Sequence, residues 1–238
     1  MQHENAEALF ENRFDAGRQL AEKLMPLKDK NAVVVAIPNG GVAVALPVAL
    51  ALNADLDLVI SRKIPLPLSP EGGFGAVTDD GTLTLDDEVV QKFGLTPTQI
   101  EYQVNQVRAG IRQRSLLYHS GKRPVVVADK IAIIIDDGLA AGYTMTAAVN
   151  SVRKRRPRQV IVAVPVGPAD TVRRVEKVAD AVVTCAVGKE SRFYVSDYYR
   201  FWHEISDQEV VQYLKEWRIR RYQSYLEPAE NPENQGPG

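Results

Sequence analysis

The chain has 238 residues, 45% hydrophobic and 25% charged, with a formal net charge of −1. Those proportions fit one α/β domain with additions or two small domains, and exclude a disordered or fibrous chain. The near-neutral balance gives no broad basic field, so no nucleic-acid partner is expected. No run approaches the roughly 20 apolar residues of a membrane span, and no membrane partner is expected either. The single cysteine, Cys185, excludes an internal disulfide and fits a reducing interior; in its apolar run it reads as a buried, inert thiol. The polar start M-Q-H-E-N-A-E carries no signal-peptide pattern, so the expected location is cytoplasmic.

In chain order, Phe10, Phe14, Gly17, Leu20, Ala21 and Leu24 recur at helical spacing, which predicts an amphipathic helix over 6–25, ended by Pro26. Val33 to Ile37 reads as a buried strand, followed by Pro38-Asn39-Gly40-Gly41. Consecutive glycines there either let backbone amides approach a ligand or form a plain tight turn. Val42 to Leu52 is apolar all round, a buried helix that either starts late or kinks at Pro47. Leu56 to Ile60 is the next strand, with Ser61, Arg62 and Lys63 at its carboxyl end. Residues 64–76 hold three prolines and three glycines without a helical period, which predicts a long loop. Asp80-Gly81 reads as a hairpin turn. A short helix follows from Asp86 to Gly94. Thr96-Pro97 then caps a longer helix through Tyr118, with His119 as a capping cation.

Ile131 to Ile135 is a continuous branched apolar run, the pattern of a strand buried on both faces of a parallel sheet. Asp136 and Asp137 stand at its carboxyl end, where open α/β sheets bind ligands. Gly138, Leu139, Ala140, Ala141 and Gly142 form a small-residue loop, and Tyr143-Thr144 opens a helix reaching about Arg153. Such a loop and helix start suit a phosphate, while the carboxylates suit sugar hydroxyls or, alternatively, Asp137 caps the helix. The cations of 153–158 read as a solvated helix end. Val160 to Val166, Ala169 to Ala179 and Ala181 to Val187 continue the strand–helix–strand alternation of a parallel sheet. Aromatic residues gather at Phe193-Tyr194, Tyr198-Tyr199 and Phe201-Trp202, next to His203, which reads as structural. A last helix runs from Asp207 to Leu226. Residues 227–238 have the composition of a disordered tail.

D-D-G-L-A-A-G-Y-T at 136–144 resembles the 5-phosphoribosyl pyrophosphate (PRPP) binding motif of type I phosphoribosyltransferases. The likeness extends as a pattern from about Phe10 to Val210, including P-E-G-G-F-G-A at 70–76. The resemblance implies a Rossmann-like α/β fold: a twisted, mostly parallel sheet flanked by helices, with a β-hairpin and flexible-loop insertion and a small hood. It places one domain over 1–226, the insertion at 64–130 and the hood at 188–226. It implies a transferase of nucleotide metabolism that moves the phosphoribosyl group to a nitrogenous base with Mg²⁺, as a homodimer. Asp136, Asp137 and Lys63 would be catalytic, and Asp136 and Asp137 would hold the metal through ribose hydroxyls or water. Residues Gly138, Leu139, Ala140, Ala141, Gly142, Tyr143 and Thr144 would bind the phosphate, and Asn39, Gly40, Gly41 and Arg62 the pyrophosphate. Residues 64–76 would be a mobile lid, and the aromatic cluster would stack a base or pack the chain's end.

Three departures stand out. The resembled proteins usually have Arg where this chain has Asn39. Ala140 replaces the acid that 6-oxopurine enzymes carry, which disfavours an oxopurine acceptor. Ala141 stands where many members have Thr. Asn39 and Ala141 fit the alternative of a non-catalytic PRPP- or nucleotide-sensing protein.

Overall fold

Every residue of the Ile131–Ile135 run is buried, and its side chains divide between two cores. Ile131, Ile133 and Ile135 join Val34, Ala36, Leu20 and Val44 on one side. Ala132 and Ile134 join Val33, Val35, Met145 and Val149 on the other. Alternate side chains of a strand point to opposite faces, so a strand apolar at every position must be covered twice.

The structure, a computed structural model, describes residues 3–4, 8–67, 69–119, 125–188 and 193–226. The expected tail at 227–238 lies outside the described residues. In chain order come β1 (His3–Glu4), α1 (Arg13–Leu24), β2 (Ala32–Ala36), α2 (Gly40–Ala51) and β3 (Asp55–Leu58). Next are β4 (Ser61–Leu66), β5 (Ser69–Thr78), β6 (Leu83–Leu85), α3 (Asp87–Lys92) and α4 (Pro97–His119). The remainder holds β7 (Ile131–Ile135), α5 (Tyr143–Lys154), β8 (Gln159–Pro168), α6 (Ala169–Val175), β9 (Ala181–Gly188), β10 (Phe201–Trp202) and α7 (Asp207–Leu226).

β3-β2-β7-β8-β9 form a five-stranded sheet, parallel throughout, with α1 and α2 against one face and α5 against the other. β4-β5-β6 form a separate antiparallel sheet between β3 and β7 in the chain, and β1 pairs with β10. The fold is α/β with flanking helices.

Three expectations change. The first helix begins at Arg13, because Asn12 caps it by accepting from the Asp15 amide at 3.0 Å. Phe10 belongs instead to a bridge with Tyr199. Helix α2 starts at Gly40 and runs on through Pro47, so the late start is ruled out. There α1 and α2 approach closely: a Cβ on Gly17 would stand 2.4 Å from the Pro47 ring.

The third change concerns 64–76. Instead of a loop without secondary structure, β4 and β5 pair across it, Lys63 opposite Ala76 and Ile64 opposite Gly75. Pairing is irregular around Pro65, as expected of a residue without an N–H to donate. Ile64, Phe74 and Val77 are fully buried in the same core as Ile133, and tertiary burial supplies what local propensity lacks. Phe74→Ala should therefore lower the unfolding free energy by about 3–5 kcal/mol in urea denaturation. A loss under about 0.5 kcal/mol would instead mark the segment as detached from the core.

Candidate active site

β2 and β7 are neighbours, but the chain leaves them in opposite directions, β2 toward β3 and β7 toward β8. Turns that part in this way open a crevice at the carboxyl ends of the strands. A cleft of about 910 Å³ lies there. Of the residues singled out by the sequence, Asn39, Gly40, Arg62, Lys63 and 136–144 all line it. Gly41 does not. It backs onto the end of β7, where a Cβ would meet the Ile135 carbonyl at 2.7 Å.

The small-residue loop is held from behind. The Thr171 hydroxyl donates to the Ala140 carbonyl at 2.9 Å, and Arg174 donates to the Ala141 carbonyl at 3.1 Å. In a trans peptide the carbonyl and the following N–H point opposite ways. The amides of Ala141 and Gly142 are thereby turned away from α6, toward the cleft. Gly142 has φ of 79°, the left-handed region that favours glycine, and as N-cap of α5 it supplies no side-chain cap. The first-turn amides of α5 are thus left for an anion. The alternative in which Asp137 caps this helix does not hold. Leu139 also departs from expectation: its amide donates to the Val166 carbonyl at 2.9 Å and its side chain is buried. It anchors the loop and has no amide to offer a ligand. Tyr143 is tied through its hydroxyl to Asp86 at 3.0 Å.

The two carboxylates differ. Asp136 accepts from the Asp137 amide at 2.9 Å. Burial, and then the neighbouring Asp137, raise its carboxyl well above the usual range. Asp137 accepts from Arg13 Nε at 2.8 Å, and the Tyr199 hydroxyl donates to its carbonyl at 2.6 Å. Beside this contact, a Cβ on Gly40 would fall 1.9 Å from Asp137 Oδ2 and 3.0 Å from Arg13 Nε.

Sequence reasoning missed Arg13. It lies on the face of α1 that carries Ala16, Leu20 and Leu24, and a cation on an apolar stripe was the available signal. The aromatic cluster also resolves. Tyr199 is buried against Phe10 and Trp202, with ring centres 5.3 and 5.2 Å apart, and Trp202 also lines the cleft. His203 bonds Glu209 at 2.8 Å, and burial raises the Cys185 thiol to about 11, which leaves no activated nucleophile there.

Cations gather at the far end of the cleft. Arg62 donates to Asn39 Oδ1 at 2.6 Å, and Asn39 Nδ2 donates to the Ile205 carbonyl at 2.8 Å and to Asp207 at 3.0 Å. Arg114, unmarked in the sequence, reaches Asp207 at 3.3 Å. Burial, then repulsion from Arg114, lowers the Arg62 pKa, and the buried Arg62 Nε has no partner among the described residues. Lys63 reaches the Glu71 carbonyl at 2.7 Å. Two guanidiniums and Lys63 thus gather here beside the Asp207 carboxylate.

Gly40→Ala should displace the Asp137 carboxylate from Arg13 and cost about 1–3 kcal/mol, as overpacking does. A melting curve of wild-type height, with the pair intact in a crystal structure of the variant, would contradict this.

A family model for the phosphoribosyl transferase domain matches residues 79–197. MT0597 of Mycobacterium tuberculosis (strain CDC 1551 / Oshkosh), described as "Putative phosphoribosyl transferase", is 39% identical over 206 residues, covering 87% of this chain and 46% of that protein. Rv0571c of strain ATCC 25618 / H37Rv, described in the same words, matches to the same extent. The chain spans about half the length of these relatives. The crystal structure of TT1426 from Thermus thermophilus has a TM-score of 0.73 at 35% identity, covering 87% of this chain and 98% of that one. The matched span contains both carboxylates and the loop beyond them, and the chain belongs to the phosphoribosyl transferase domain family.

Proposed function

We propose that the protein binds PRPP with Mg²⁺ and transfers its 5-phosphoribosyl group to a nitrogenous base, releasing pyrophosphate. One observation carries the reading: a single cleft sets paired carboxylates between inward-turned loop amides and a cluster of cations. A ribose with phosphate on C5 and pyrophosphate on C1 has the complementary distribution of charge. The 5-phosphate takes the amides of 140–144, beyond the anchoring Leu139, and the Thr144 hydroxyl, where the helix dipole adds attraction. Asp136 and Asp137 accept hydrogen bonds from ribose hydroxyls. Gly40, Arg62 and Lys63 stand toward the pyrophosphate, with Arg114 beside them.

The C1–oxygen bond breaks with its electron pair leaving on pyrophosphate. A C1–nitrogen bond forms, and the nitrogen's proton passes to solvent. Positive charge gathers on the ribose as negative charge gathers on the leaving group. Carboxylates near the first and guanidiniums near the second stabilise both in fixed positions. Asp136 and Asp137 are hard oxygen donors, and no cluster of three or more metal-binding side chains exists among the described residues. That donor set fits Mg²⁺, which keeps waters and substrate oxygens rather than entering an all-protein cage. When bound, the ion neutralises charge on the pyrophosphate. The exposed Ala140 provides no acid for an oxopurine acceptor.

A second reading, PRPP or nucleotide sensing without chemistry, is favoured by Asn39. Both ends of its amide are engaged by protein groups, so the turn after β2 brings no cation of its own.

Asp136→Asn tests the ribose assignment with the Arg13 pair left in place. A charge-assisted hydrogen bond is worth about 1.5–3 kcal/mol and each 1.4 kcal/mol or so is tenfold, so Mg·PRPP should bind roughly ten- to a hundredfold more weakly. The melting temperature should hold or rise, since burial and the neighbouring Asp137 already oppose a charge at this position. Unchanged affinity in calorimetric titration would sink the assignment. Pyrophosphate release across purines, pyrimidines and nicotinate-like acids separates enzyme from sensor.

A further inference from the structure

Arg13 lies outside the 79–197 span of the family match and far in sequence from the residues it serves. Its side chain is 6% exposed. Three contacts fix it at once. Nε donates to Asp137 Oδ2 at 2.8 Å, a terminal nitrogen donates to the His203 carbonyl at 2.8 Å, and its guanidinium carbon stands 3.6 Å from the centre of the Trp202 ring. The same C-terminal segment reaches Asp137 a second way, through the Tyr199 hydroxyl on its carbonyl. Gly40 packs against the same carboxylate oxygen, close enough that a Cβ there would also stand 3.0 Å from Arg13 Nε.

We propose that Arg13 is a positioning residue: it fixes the Asp137 carboxylate for the ribose hydroxyls and makes that position depend on docking of the segment 199–205. The inference rests on the ribose reading of the cleft. Charge alone does not account for the arrangement. A guanidinium is a rigid planar fork, and here its donors point to two partners from two parts of the chain while its face lies on an indole. An ammonium group is a point charge and reproduces neither the fork nor the stacking. A residue that merely stabilised the fold would need no donor aimed at a carboxylate lining the cleft.

The test is a double-mutant cycle on Arg13→Gln and Asp137→Asn, with three probes: ribose 5-phosphate without metal, Mg·PRPP, and inorganic phosphate. The sugar ligands reach the carboxylates through their hydroxyls, whereas inorganic phosphate, held by the loop or by the cationic corner, has no hydroxyl to offer them. Arg13→Gln should weaken both sugar ligands about tenfold, the loss of one charge-assisted hydrogen bond. It should leave inorganic phosphate within about twofold, and add no more than about twofold to Asp137→Asn. Trp202→Leu should reproduce part of the Arg13→Gln effect on the sugar ligands alone. Independent, multiplying effects of the two substitutions, or equal weakening of all three probes, would overturn the proposal. If Arg13→Gln does not fold, Arg13→Lys carries the test: the charge is kept, the fork is lost, and wild-type affinity overturns the role. Wild-type protein that binds neither sugar ligand overturns the reading of the cleft and this inference together. Wild-type binding with an unaffected Arg13→Gln overturns the inference alone.

Discussion

Two adjacent carboxylates at the end of a buried strand repel each other, and a cation must meet at least one of them. At an effective dielectric of about 20, unit charges 4 Å or so apart interact by about 4 kcal/mol, comparable with much of a domain's net stability. Arg13 meets Asp137. Asp136, without a comparable bonded cation, is the member whose ionisation burial opposes. From this pair the surrounding structure follows. The N-terminal helix must bring its first residue to the strand end, so the chain before it lies along the C-terminal segment. There the Phe10 amide meets the Tyr198 carbonyl at 3.0 Å and the Arg200 amide meets the Phe10 carbonyl at 2.8 Å.

The opposite end of the cleft is organised by the complementary excess. Asp207, on the first turn of α7, accepts from Tyr118 at 2.5 Å, from Asn39 and from Arg114. Burial works against its charge, yet those hydrogen bonds hold its carboxyl below the usual range. Asn39 is the hub that joins the turn after β2, the strand after β3 and the start of α7 through three bonds. Asn39 itself carries no charge, and Arg62 on β4 donates to it. The cations at this end of the cleft are supplied by β4 and α4, through Arg62, Lys63 and Arg114.

How much of this was legible in the sequence depended on how local each determinant is. The strand from Ile131 to Ile135, the carboxylates after it and the start of α5 form one continuous stretch, with pattern and chemistry both inside it. The Thr96-Pro97 cap and the Asp80-Gly81 turn are local for the same reason, and both stand as read. The segment 64–76 was misread because prolines and glycines report only local preference. Its strands are set by where Ile64, Phe74 and Val77 are buried. Arg13 and Arg114 were invisible as site residues because their partners lie at residues 137, 203 and 207. Leu139 illustrates the reverse error: a motif position taken for a ligand contact belongs to the core.

The side chains of the site are therefore oriented by long-range polar contacts on a packed sheet, and this constrains how the site can respond to a ligand. The parallel sheet and its two cores fix the strand ends without help from the cleft. What orients the carboxylates and the cations comes from α1, α4 and the segment leading into α7; α1 and α4 are packed into the core, and only their links to the site are a few polar bonds. Local openings of a native protein begin where few apolar contacts oppose them. On the proposed reading, a ligand touching the loop, the carboxylates and the cationic corner at once would close those polar links into a single network. Its binding energy would then stabilise the assembled form over any form in which one link is open, by mass action. The sheet would hold its shape either way, and the order gained on binding would fall on the residues that bring the two ends of the chain together.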